Sequence, residues 1–110
     1  MADNTKEEQK WNVYVHIVPK EISSYEWDKC YVGMTSNIKQ RWRGNGNGYK
    51  KCPLFWKAIQ KYGWNNMRHE VVFDNLSKDE ASSLEIDTII KLNTTDKNFG
   101  YNLTTGGGWW

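Results

Sequence analysis

Glu85 is the residue of this chain whose position is hardest to assign to packing alone. On a helix expected at 78–92, at about 100° per residue, Glu85 falls about 40° from Ala81. That lies inside the stripe of Ala81, Leu84, Thr88, Ile89 and Leu92, while Glu80, Ser83, Asp87 and Lys91 gather on the far side. A carboxylate facing a core is costly unless it is paired or binds a metal. Glu85 is therefore either a structural ion pair or rim position, or a ligand for a divalent cation. Tyr14 and Tyr31 form a second constellation: each is the polar-tipped member of an alternating segment, so pairing of the two segments brings both hydroxyls to one face. Aromatic cross-strand packing accounts for the same spacing. Arg41 lies three residues after Ile38 and borders the inward face of a short helix. It is either a surface arginine or a planar fork for a phosphate.

The elements that must position these residues follow from local pattern. Residues 11–18 alternate as a strand, with Val13, Val15 and Ile17 on one face and Tyr14, His16 and Val18 on the other. Residues 29–34 read as a second strand, antiparallel to the first, with Tyr31 and Gly33 on one face and Val32 and Met34 on the other. Thr35, Ser36 and Asn37 are N-cap types that open a short helix to about Trp42. After the loop 44–49, Pro53 starts and Gly63 ends a helix with a stripe of Leu54, Phe55, Ala58, Ile59 and Tyr62. Residues 67–73 form a third strand with His69, Val71 and Phe73 on one side. Ser77 and Glu80 form a capping box for the last helix, and the remainder reads as coil. The order β-β-α-α-β-α predicts an α+β domain, a small three-stranded antiparallel sheet flanked by helices. The expected boundaries are a polar tail at 1–10, the domain at 11–105 and a glycine-rich exit at 106–110 that starts a linker.

Composition narrows the chemistry. The 110 residues suit one domain, and no apolar run approaches the length of a membrane span. Two cysteines and two histidines exclude a disulfide scaffold and a zinc cluster, so Cys30 and Cys52 read as buried free thiols of an intracellular protein. The net charge is only +2, but no acidic residue occurs from Lys29 to His69, where nine basic residues fall. That block is laced with Tyr31, Trp42, Tyr49, Trp56, Tyr62 and Trp64. Cations interleaved with rings suit a nucleic acid, although a solvated basic face has the same composition. No nucleophile motif is present, and Gly44–Gly48 lacks the Gly-Lys-Ser/Thr ending of a phosphate-binding loop.

Asn12-Val13-Tyr14, with Tyr31-Val32-Gly33 seventeen positions after the first tyrosine, resembles the motif pair of the GIY-YIG nucleases. Asn12 stands for the first glycine, and Val13 and Val32 stand for isoleucines. The later features follow in the same order. Gly33-Met34-Thr35-Ser36 through Lys39-Gln40-Arg41-Trp42 resembles the segment ending in the family's arginine. Glu80-Ala81 with Glu85 resembles its glutamate helix, and Gly100-Tyr101-Asn102 with Thr104 to Gly107 resembles its asparagine motif and glycine-rich exit. The likeness spans Trp11 to Gly108. Ala58-Ile59 and Lys61 to Asn66 are particularly like the phage-type or homing-endonuclease-like branch.

The resemblance implies hydrolysis of DNA phosphodiesters with one Mg²⁺ or Mn²⁺ ion. It makes Tyr14 and Tyr31 the paired tyrosines, Arg41 the phosphate-binding arginine, Glu85 the metal ligand and Asn102 the residue that holds the last segment. Many members carry His or Tyr four residues after the arginine; Asn45 stands there, and Tyr49 beyond the glycine loop is the candidate for that group. Lys39, Arg43, Lys50, Lys51, Lys57 and Lys61 are the expected DNA contacts, with little sequence preference because backbone contacts carry no base information. A nucleic-acid-binding module without catalysis is the alternative. A monomer is expected, with Trp109 and Trp110 as a route to self-association or as the sign of a fragment of a longer protein.

Overall fold

The computed structural model describes residues 9–105. Most of the expected N-terminal tail, and Gly106 to Trp110 with the paired tryptophans, lie outside the described residues. Three strands form one antiparallel sheet in the order β2-β1-β3: β1 is Trp11–Val18, β2 Lys29–Thr35 and β3 Arg68–Leu76. No helix among the described residues is long and apolar enough to cross a membrane.

β1 is central, and from Val13 to Val18 it is buried on both faces. Alternation decides which face each side chain serves. Val13, Val15 and Ile17 join Val32 and Met34 of β2 in one cluster, capped by Ala81 and Ile89. Tyr14, Val18 and Tyr31 join the other, with Tyr49, Cys52, Phe55, Ala58 and Ile59. The expected split of β1 and β2 into two faces is therefore observed. In the register, Tyr14 lies opposite Gly33 and His16 opposite Tyr31.

The pairing of β1 with β3 departs from the sequence reading. Tyr14 pairs with Val71 but Val13 pairs with Phe73, so one β1 step spans two residues of β3. This bulge places Phe73 opposite a residue of the other face, and His69, Val71 and Phe73 do not share one side. A second shift lies between Trp11 and Val13, near Asn75 at φ 58. β3 also continues three residues past Phe73.

Helix α1 is Ile38–Arg41, shorter than expected because Thr35 belongs to β2 and Asn37 is the cap, accepting from the Gln40 amide at 3.1 Å. Helix α2, Pro53–Tyr62, starts on its proline and turns Phe55, Ala58 and Ile59 inward; Gly63 ends it at φ 88, a left-side value that favours glycine. Helix α3, Lys78–Leu92, has the expected capping box, in which Ser77 and Glu80 satisfy each other's amides at 2.8 and 3.1 Å. Ala81, Glu85 and Ile89 are its buried residues, while Leu92, expected in the stripe, is 41% exposed at the helix end. The segment after α3 is not wholly coil. Gly100 bridges Cys30 in parallel along the outer edge of β2, with Cys30 N–H on the Phe99 carbonyl and Tyr101 N–H on the Cys30 carbonyl. Both cysteines are free, Cys52 buried and Cys30 only half-buried.

Candidate active site

The site grows from the turn after α1. Gly44, Asn45 and Gly46 all take positive φ and reverse the chain, so that Tyr49 returns beneath Arg41. A side chain at Gly46 would meet Trp64 and Ile59, which fixes glycine there twice over. The Arg41 guanidinium carbon sits 4.0 Å from the Tyr49 ring centroid. Its Nη1 donates to the Gly48 carbonyl at 2.6 Å, and its Nε donates to the Tyr14 hydroxyl at 3.3 Å. A longer contact of 3.7 Å joins Nη2 to Cys52 Sγ. Burial works against the Arg41 charge, but the oxygens of Tyr14, Tyr49 and Tyr31 outweigh it and hold the guanidinium more firmly protonated than usual. Arg41 is thus a half-buried fork stacked on a ring, not a solvated surface arginine.

Tyr14 is buried, and its hydroxyl lies across Gly33 of the neighbouring strand. A Cβ at position 33 would overlap that hydroxyl and the ring edge, so the glycine of the second triplet is what lets the ring pass over β2. Tyr31 shares this face. Its ring stacks on Phe55 at 4.6 Å, and its hydroxyl lies 3.6 Å from Cys52 Sγ. Tyr14 and Tyr31 do converge, as the alternation implied. Burial raises both phenol pKa values; the Tyr14 charge adds to the rise at Tyr31. At Tyr14, Arg41 pulls the pKa down, yet burial prevails and Glu85 pushes it further up. Tyr14 is therefore a neutral phenol at neutral pH, and Arg41 by itself does not make it a phenolate.

Two residues without an expected role complete the centre. His16 is fully buried and its Nε2 is 2.6 Å from the Tyr49 hydroxyl. Its Nδ1 is 2.8 Å from His69 Nδ1, and His69 Nε2 is 2.8 Å from the Trp64 carbonyl. Burial lowers the pKa of both rings, that of His16 well below the usual imidazole range, so both are neutral at neutral pH. The carbonyl only accepts, so His69 carries its proton on Nε2 and accepts at Nδ1. His16 must then donate from Nδ1 and accept at Nε2, and the Tyr49 proton points to His16. Tyr49 and Tyr14 also lie close enough for each to bear on the other's ionisation. One directed chain of hydrogen bonds runs from Tyr49 through His16 and His69 to the Trp64 carbonyl, and Arg41, stacked on Tyr49 and bonded to Tyr14, adjoins it. The signal in the sequence is slight: the chain's two histidines each fall on a strand, and only the pairing of His16 with His69 across β1 and β3 joins them.

Tyr49, fully buried, is thus brought to Arg41, whereas Asn45 is exposed in the turn. Glu85 is 4% exposed on α3, in line with Ala81 and Ile89, and its charge bears on Tyr14. Among the described residues no three His, Cys, Asp or Glu side chains form a metal group. A carboxylate oxygen is the donor type that hard cations take, and Glu85 is the carboxylate whose charge bears on Tyr14. Asn102 is buried at the edge of β2, where its Oδ1 accepts from Val32 N–H and its Nδ2 donates to the Val32 carbonyl, both at 2.9 Å. The side chain completes the edge that Gly100 and Tyr101 began.

Lys39, Arg43, Lys50, Lys51, Lys57 and Lys61 are all exposed. Arg43 folds back onto the Gln40 carbonyl at 2.8 Å. Arg68, at the end of the basic block, pairs instead with Asp28 and Glu70. No protein-family model, curated protein or solved structure matches the chain.

Proposed function

We propose that this chain is a DNA endonuclease that hydrolyses phosphodiesters with a single Mg²⁺ or Mn²⁺ ion. The observation that supports it most is the convergence of Arg41, Tyr14, Tyr31 and Tyr49 on one face of the sheet, with the Glu85 charge reaching Tyr14. Arginine, phenols and a buried carboxylate in one place are the groups that phosphoryl transfer to water needs.

Glu85 would hold the ion, which when bound supplies positive charge against the scissile phosphate and its leaving oxygen. The Arg41 fork stabilises charge on the phosphoryl oxygens in the transition state. Tyr31 packs against this centre and limits where the attacking water sits. Tyr14 accepts the water's proton on its oxygen while passing its own proton to Tyr49. The Tyr49 proton moves to His16 Nε2, and the His16 Nδ1 proton moves to His69 Nδ1. As the water oxygen bonds to phosphorus and the ester oxygen departs, the proton resides on His69, a half-buried imidazolium at the edge of the core. A relay of this kind removes the need for a free phenolate at Tyr14. The exposed lysines contribute charge contacts that do not read sequence.

The deciding measurement is nicking of supercoiled plasmid with Mg²⁺ or Mn²⁺ against EDTA. Metal-dependent nicking that disappears in Arg41→Ala supports the reading. DNA binding with no nicking under any metal returns the chain to the class of non-catalytic nucleic-acid-binding modules.

A further inference from the structure

Two residues before Tyr31, on the same face of β2, lies a second basic centre. Lys29 is 6% exposed, a burial lysine rarely accepts without a counter-charge. Its Nζ lies 4.3 Å from the Tyr25 ring centroid and 4.7 Å from that of Tyr101. Among the described residues Lys29 Nζ has neither a hydrogen-bond acceptor nor a carboxylate partner. The neighbouring Asp28 is engaged elsewhere, by the Lys20 amide at 2.8 Å and by Arg68 at 3.3 Å.

Lys29 lines a cleft of about 200 Å³ together with Lys57 and Lys61 from α2 and Lys97 from the loop after α3. No carboxylate lines it; the remaining polar groups come from Tyr25, Tyr62 and Tyr101. Four lysines and no carboxylate give the cleft a positive lining that an anion complements. The rings on either side of Lys29 give its ammonium no acceptor. From Gly33, which underlies the Tyr14 hydroxyl, Lys29 is four residues away, or about 13 Å along the strand.

We propose that this cleft binds a phosphate group, with Lys29 as the central cation, Lys57, Lys61 and Lys97 as the rim and the tyrosine rings as flanking walls. The favoured source is a backbone phosphate of the nucleic acid strand running along this face of the sheet from the Arg41 centre; this assignment rests on the nuclease reading, whereas the anion site does not. A free phosphate has the same chemistry, and the experiment separates the two.

The test is performed in EDTA, so that no cleavage occurs and failure of the nuclease reading cannot mask it. Inorganic phosphate, and separately a short duplex oligonucleotide, are titrated into isotope-labelled protein, and the amide signals of Lys29, Gly100 and Tyr101 are followed. Lys29→Met keeps the stem and removes the charge. It is expected to hold the wild-type melting temperature and to weaken phosphate binding about tenfold, the loss of one charge-assisted contact. Lys57→Met with Lys97→Met changes exposed residues only, so it tests the same cleft without touching the core. It should weaken binding about threefold and flatten the salt dependence. Shifts with both ligands support the strand phosphate, and shifts with inorganic phosphate alone support the free anion. Absence of shifts at these three amides with either ligand, or binding by both variants within twofold of wild type, overturns the site.

Discussion

His16 donates from Nδ1 to His69 Nδ1 at 2.8 Å, across the pairing of β1 with β3, and the direction of that bond is set by the Trp64 carbonyl at the far side of His69. A backbone oxygen thus orders three side-chain protons in sequence, on His69, His16 and Tyr49. If protons leave the centre by this path, His69→Gln should lower kcat about 10²-fold and leave KM unchanged. The acid limb of the pH–rate profile, expected below the usual imidazole range because burial lowers the His69 pKa, should disappear with it. Pre-steady-state and steady-state nicking across pH 5–8 measures both. A profile identical to wild type would remove His69 from the path.

The same burial links stability to pH. His16 is neutral when folded and titrates normally when unfolded, so its folded pKa is the lower of the two. The unfolded chain therefore binds the extra proton. Stability from this group is complete above the unfolded value of about 6.5 and declines as pH falls toward the folded value, by at most ~1.4 kcal/mol per pH unit for one proton. Urea denaturation between pH 7 and pH 5 should show that decline, and His16→Phe should flatten it.

Gly33→Ala places a methyl group where the Tyr14 hydroxyl lies. The ring must move or β2 must shift, at a cost of ~1–3 kcal/mol. Displacement of the hydroxyl from Arg41 Nε should reduce nicking at least about 10²-fold, a larger effect than the stability loss explains. Thermal melts alongside nicking assays separate the two.

Asn102→Ala removes both bonds to Val32 and leaves that strand edge unpaired. The expected loss is ~2–4 kcal/mol. Asn102→Asp should be little better, because a carboxylate accepts from the Val32 amide but turns an anion toward its carbonyl. Denaturant midpoints provide the measure.

Divalent metal should stabilise the folded chain by mass action. At a hundred times its Kd, one Mg²⁺ adds about 2.7 kcal/mol, or roughly 10–20 °C in Tm for a domain of this size. Glu85→Gln keeps the shape and lacks the charge, so the metal-dependent shift should vanish with cleavage. A shift of the same size in the variant would place the ion elsewhere.

Local pattern determined what local physics controls. The period of two in residues 11–18 assigned both faces of β1, and the period of 3.6 after the Ser77 cap placed Glu85 beside Ala81 before any packing was known. The polar residue inside each stripe was therefore legible as a candidate for chemistry. Register was not, because hydrophobic alternation is indifferent to a bulge until a partner strand fixes it. The step at Val72 sets Phe73 opposite Val13, while His69 remains opposite His16. Nor did spacing reveal that Tyr49 would lie under Arg41, since three positive-φ residues must reverse the chain between them. The sequence alone chose Tyr14, Tyr31, Arg41 and Glu85 as the polar residues at the inward faces. Tyr49 entered as a candidate through the family resemblance, and only tertiary structure seated it under Arg41 and joined His16 and His69 to it, because hydrogen bonds between distant strands and loops exist only once the chain has closed on itself.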